Sequence, residues 1–189
     1  MPPPGFPYGG ERELRDDLRR TCRRRVLTGG QTGVDTAAAL AALDAGLLVH
    51  VVFPLGFRQE DGAITPARRR ALRGAAFHQL TSQDFAYRTW TCGYLADAVI
   101  LIDPAGGAGC QETIRAAGHF GRPLLNLGPD ASEARPDEIA RWLDLTSPRV
   151  LMIAGCRQSL LASQDKERDV RAQLDVVVSA FAWPGGRSP

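Results

Sequence analysis

Residues 25–43 read RVLTGGQTGVDTAAALAAL, with Gly29, Gly30 and Gly33 set between a short apolar run and a segment made mostly of alanine. Glycine lets the main chain turn tightly and lets a ligand come close to backbone N–H groups. The first turn of a helix offers unpaired N–H donors and the positive end of its dipole, so an anion is favoured there. A second stretch of the same kind, DPAGGAGCQET at 103–113, carries Gly106, Gly107 and Gly109 and opens another helix. Two such helix openings at one crevice would suit a polyanion such as a nucleotide or a phosphorylated pterin. Neither stretch is GxxxxGK[ST], and no lysine follows, which excludes a P-loop nucleoside triphosphatase. In the first loop Thr32 is expected to cap the helix, with Asp35 three residues on. A side chain at Gly30 is expected to project into the crevice.

Other polar residues fall where loops should reach that crevice. Arg58, Glu60 and Asp61 follow the second apolar run, Tyr87 and Arg88 begin the helix before the fourth, and Arg157, Gln158 and Ser159 follow the sixth. Arginine grips phosphate or carboxylate with a planar fork. Glu112 lies in a first helical turn, where a carboxylate suits the dipole whether or not it does chemistry. Asp97 is expected to cap or pair structurally. Cys110, at a helix N-terminus, has the position of an activated thiol. Yet His119 lies further along the same helix and His50 and His78 sit in strands, so a small packed cysteine is expected. Cys22, Cys92, Cys110 and Cys156 show no CxxC spacing and there is no HExxH, so no metal site is expected.

These residues need a scaffold, and the apolar periodicity supplies one. Short runs at 25–30, 47–54, 75–82, 97–103, 122–128 and 149–155 alternate with helical segments at 33–45, 66–73, 84–95, 110–120, 136–145 and 165–181. The runs are continuous Val, Ile and Leu, so both sheet faces should be covered. The expected fold is an α/β three-layer Rossmann-like sandwich with a mainly parallel sheet of about six strands, order 3-2-1-4-5-6. Residues 1–22 are expected to form a disordered tail and a short charged helix, 23–183 a single ligand-binding domain, and 184–189 a second tail.

Composition sets the bounds. The chain has 189 residues, 44% hydrophobic, with net charge +2. That charge is too weak to demand nucleic acid as a partner. No run approaches the ~18 apolar residues of a membrane span. Scattered thiols and the absence of an apolar signal core fit the cytoplasm.

TGGQTGVDTAAALAAL, FRQEDGAITP, YRTWTCGYLADAVILID and LMIAGCRQS together resemble the molybdenum (cofactor) carrier family, which is related to the LOG/lysine-decarboxylase-like (SLOG) superfamily. The similarity spans about residues 25–178. It implies a cytoplasmic, oligomeric binding protein for an anionic pterin-type cofactor, with molybdenum cofactor as bound cargo. The implied ligand contacts are Gly29, Gly30, Gln31, Thr32 and Gly33, joined by Arg58, Asp61 and Arg88.

One departure opens an alternative. The second loop, from Gly106 to Glu112, is closer to the PGGxGTxxE signature of LOG-type phosphoribohydrolases. Ala105 separates Pro104 from the glycines, and Cys110 stands where threonine is usual. In such enzymes an arginine resembling Arg88 and a glutamate resembling Glu112 help cleave the N-glycosidic bond of a nucleoside 5′-monophosphate. Four family motifs outweigh one glutamate, so a binding protein is the expected function, with the hydrolase as the alternative and a nucleotide-sensing partner sharing the pocket of the first.

Overall fold

The computed structural model describes Phe6 and residues 9–103, 107–128, 136–161 and 163–182. Its elements in chain order are α1 (Gly9–Arg19), β1 (Arg25–Thr28), α2 (Val34–Asp44), β2 (Leu48–Phe53), β3 (Arg58–Gln59), β4 (Gly62–Ala63), α3 (Pro66–Ala71), β5 (Ala76–Gln79), α4 (Phe85–Leu95), β6 (Ala98–Ile102), α5 (Ala108–His119), β7 (Leu124–Leu127), α6 (Pro136–Thr146), β8 (Val150–Gly155) and α7 (Gln164–Ala182). A 3-10 turn at Gln158–Leu160 follows β8.

Six strands form one parallel sheet in the order β5-β2-β1-β8-β6-β7. The helices α2, α6 and α7 pack in one layer, and α1, α4 and α5 in another. This is the Rossmann-like three-layer sandwich expected of alternating apolar runs and helices. The strand order differs from 3-2-1-4-5-6 in one respect. The last strand, β8, does not lie at the edge but is inserted between β1 and β6. The reason lies in apolar content. Five of the six residues in VLMIAG are buried, whereas β5 (AFHQ) and β7 (LLNL) keep half-exposed or exposed residues and take the two edges. A strand apolar on both faces gains most at the centre of a covered sheet.

Alanine makes close packing possible on one side. Ala38, Ala39 and Ala42 of α2 are fully buried, so the helix backbone lies near β1, β2 and β8. Helix α1 is anchored to the domain. Leu18 of α1 is buried, and Arg19 pairs with Asp97, whose other oxygen accepts the N–H groups of Arg149 and Val150. Asp97 is thus the structural carboxylate that was expected. Phe6 falls in the stretch expected to be disordered. It sits edge-on to Tyr87 and Tyr94 and beside Phe120, because α4 and the end of α5 leave an aromatic recess there. Residues 1–5 and the tail at 184–189 lie outside the described residues.

The 58–63 loop also contains an element the periodicity did not reveal. The strands β3 and β4 form a two-residue ladder with Arg58 opposite Ala63 and Gln59 opposite Gly62. That hairpin brings Gln59 and Glu60 against the loop after β1.

Candidate functional site

Three loops meet at the carboxyl end of the sheet, after β1, β8 and β6. The β6 and β1 loops are not adjacent, as they would be in the 3-2-1-4-5-6 order, because β8 brings a third loop between them. Together with the start of α4 they surround a cleft of about 440 Å³. Its walls include Gln31, Asp35 and Arg88 on one side and Gly107, Gly109 and Glu112 on the other. Ligands of open α/β sheets bind at such a reversal of strand order.

The first glycine loop is packed, not open. An added Cβ at Gly29 would lie 1.3 Å from Arg88 Nη1. At Gly30, with φ +70°, it would lie 2.6 Å from the Phe53 ring, within the core and not in the crevice. At Gly33, with φ +77°, it would meet the backbone of Cys156–Gln158 within 2.5–2.7 Å. The first helical N–H, of Val34, already donates to Cys156 O at 3.0 Å. Gly33, not Thr32, is the N-cap of α2. Thr32 instead donates its hydroxyl to Glu60, and Gln158 N donates to Thr32 Oγ1 at 3.4 Å. Asp35 turns back to accept from Gln31 N at 3.2 Å. The expected capping box is therefore replaced by tertiary bonds, because the loop is clamped from both sides.

Glu60 is the centre of that clamp. Besides Thr32 it accepts from Ser159 N at 3.2 Å and Ser159 Oγ at 2.5 Å. Burial works to raise its carboxyl, but the bonds from Ser159 and Thr32 outweigh this and hold it below its ordinary value. Gln59 Nε2 donates to Gly30 O at 2.8 Å.

Beneath the clamp lies a buried ion pair. Arg88 Nη1 contacts Asp35 Oδ2 at 3.2 Å, with Arg88 7% and Asp35 3% exposed. Burial pushes the Asp35 carboxyl up, against the pull of Arg88 and the hydrogen bonds from the Gln31 and Gly155 backbones. The missing side chain at Gly29 is what lets Arg88 reach this place. The guanidinium is not fully satisfied, since Arg88 Nε has no partner among the described residues. Gln31 is 4% exposed. Its Oε1 accepts from Glu60 N at 2.9 Å, which fixes the amide orientation. Its Nε2 has no acceptor among the described residues. A buried donor without a partner costs about 1–3 kcal/mol.

The opposite wall is open. Gly107 is the N-cap of α5 and, as glycine, makes no side-chain cap. A Cβ on Gly109 would meet nothing within 4 Å. Gly106 lies outside the described residues. Glu112 accepts from Trp90 Nε1 and from Arg115. Burial works to raise its carboxyl, but Arg115 and then Trp90 prevail and hold it low, so it is ionised at neutral pH. Cys110 is 2% exposed. Its thiol is pushed up by a hydrogen bond with Cys156 and by burial, the opposite of the lowered value an activated nucleophile needs.

The structure brings Gln31, Arg88, Gly107, Gly109 and Glu112 to one cleft. It leaves Thr32 in the clamp and Gly29, Gly30 and Gly33 in close packing. Arg58 lies over the Phe85 ring at 5.6 Å and donates to Gln83 at 3.3 Å, outside the cleft wall. Asp61 is paired with Arg68 at 2.7 Å. Phe85, Thr89, Arg115 and Cys156 line the cleft without having been singled out as contacts. Asp35 was read only as a cap, and a carboxylate followed by a run of buried alanines was the available signal.

The family model described as circularly permutated YpsA SLOG matches residues 26–178. The chain belongs to this family. Reading β8 ahead of β1 renumbers the sheet 4-3-2-1-5-6, with four chain neighbours in one run, so a circular permutation accounts for the place of β8 in this SLOG sheet. Among solved structures, a crystal structure at 1.45 Å resolution is similar at a TM-score of 0.69. It is of a protein from Syntrophus aciditrophicus SB provisionally named a molybdenum carrier. The two share 22% identity, covering 82% of this chain and 95% of that one. That likeness shows the fold. Comparison with curated proteins gives no significant match.

Proposed function

We propose that this SLOG protein binds a small anionic ligand of the phosphorylated-pterin or nucleotide class in the cleft between Gln31, Arg88 and the start of α5. The observation that carries this reading is the pair of unpartnered donors, Gln31 Nε2 and Arg88 Nε, on buried side chains that line the cleft. Both atoms are themselves enclosed, so an acceptor-rich ligand would relieve their cost by drawing the two side chains toward the cleft. The N-terminus of α5, where Gly107 makes no side-chain cap and Gly109 follows, supports placing the ligand's negative charge opposite them. The name of the Syntrophus protein makes a molybdenum species a first candidate for the cargo, and the sequence resemblance points to its cofactor form. Gly29, Gly30 and Gly33 serve this site indirectly, by letting Arg88 and the β8 loop close in. Native mass spectrometry of protein purified without chelators tests the reading. A released phosphorylated pterin or nucleotide supports it, and ligand-free protein that also fails to take up either class contradicts it.

A second reading rests on a separate observation. Glu112 and Arg88 line the same cleft, and Glu112 is held ionised. An ionised carboxylate could stabilise the positive charge that develops on ribose when an N-glycosidic bond breaks. Release of free base from a nucleoside 5′-monophosphate, abolished in Glu112→Gln, would establish hydrolysis. The pairing of both Glu112 oxygens with Trp90 and Arg115 favours binding over chemistry, since neither is left solely for a substrate.

A further inference from the structure

Three parts of the chain distant in sequence converge beside the cleft. Asp103 follows β6, Cys110 lies in the first turn of α5, and Cys156 follows β8. The two sulfurs and a carboxylate oxygen all lie within 4.8 Å of one another. Cys156 Sγ is 3.0 Å from Asp103 Oδ1. Both cysteines are 2% exposed, yet both line the cleft. The lack of CxxC spacing concealed this cluster, because β8 had to enter the sheet beside β6 before Cys156 could approach Cys110.

We infer that Asp103, Cys110 and Cys156 form a binding site for one thiophilic divalent cation of the zinc class, with a fourth position open to the cleft. Tetrahedral zinc with metal–sulfur bonds of about 2.3 Å sets its donor atoms roughly 3.3–3.8 Å apart. The cluster needs only sub-ångström to ångström adjustments to reach that spacing. Two sulfurs and one oxygen suit a borderline-soft ion and discriminate against magnesium or calcium, which take oxygen. Three protein ligands and an open fourth position are the arrangement of zinc sites that accept an exogenous ligand. Loading releases the two thiol protons, so that two thiolates and one carboxylate meet the dication. The inference stands on these three side chains alone and does not depend on the anion reading.

The test is a cobalt(II) titration of full-length protein, reduced and metal-free, carrying Cys22→Ser to remove the exposed thiol. Expected is a thiolate-to-cobalt charge-transfer band that saturates at one equivalent and is displaced by zinc. Cys110→Ser and Cys156→Ser should each abolish it, while Cys92→Ser leaves it unchanged. Asp103→Asn keeps the volume of the side chain and remains informative if a serine variant fails to fold. It should weaken binding by more than about a hundredfold, beyond the roughly 10–100-fold that loss of an outer-shell partner costs. No band in the folded Cys22→Ser protein overturns the inference, as does a band that survives both serine substitutions or is unmoved by Asp103→Asn.

Discussion

The two glycine loops look alike in sequence and differ in the fold. Around β1, Gly29, Gly30 and Gly33 are small because Arg88, Phe53 and the β8 loop occupy the space their side chains would need. At the start of α5, Gly109 faces open space and the N-cap Gly107 makes no side-chain cap. One loop is glycine-rich so that protein can approach protein. The other is glycine-rich beside a cleft. A glycine count alone cannot tell these cases apart, since both meet the same steric demand of backbone accessible at close range.

Breaking the closed loop should cost the most. Gly29→Ala places a methyl on the Arg88 guanidinium and separates it from Asp35. Disrupting a buried pair in this way costs about 3–5 kcal/mol, measured by urea denaturation. Gly30→Val drives a branched side chain into Phe53 from a left-handed backbone. Overpacking and backbone strain together predict a loss of roughly 2–4 kcal/mol, and hence a destabilised protein and not a folded one with a blocked site. Gly109→Ala, in the open loop, should shift stability by no more than about 1 kcal/mol. Its methyl enters the cleft, so ligand affinity should fall several-fold in calorimetry while the denaturation midpoint hardly moves. If Gly109→Ala proved as destabilising as Gly29→Ala, the contrast between the loops would fail.

A smaller effect, remote from both loops, serves as a control. His50 on β2 and His78 on β5 stack with Nδ1 and Nε2 2.9 Å apart. Burial, then His78 and Arg25, push His50 down to about 4, and burial also lowers His78. The unfolded chain therefore binds more protons than the folded one as pH falls from 6.5 towards 4. Stability should be full above 6.5 and decline through that window, and His50→Gln should flatten the decline. The same slope in His50→Gln would assign it elsewhere.

Much of this architecture was legible because it rests on local pattern. The apolar runs and helical spacings placed every strand of the main sheet within a few residues, since continuous Val, Ile and Leu runs can be buried on both faces only in a covered sheet. The cleft was legible in part, through Gln31, Arg88, Gly107, Gly109 and Glu112. What escaped depends on partners distant in sequence. The place of β8, the Glu60 clamp, the Arg88–Asp35 pair and the cluster of Cys110 with Cys156 all arise from pairings more than 25 positions apart, and no local period encodes them.

The most direct trial of the account is calorimetric titration of the native protein and of Gln31→Glu with a phosphorylated pterin and a nucleoside 5′-monophosphate. The substitution keeps the acceptor for Glu60 N and replaces the unpartnered amide donor with a carboxylate oxygen. Tight binding of one class by the native protein, weakened at least about tenfold in a folded Gln31→Glu, is the predicted result, as expected when a charge-assisted bond is exchanged for repulsion. Equal affinity in the two proteins would contradict the claim that this donor engages a bound anion.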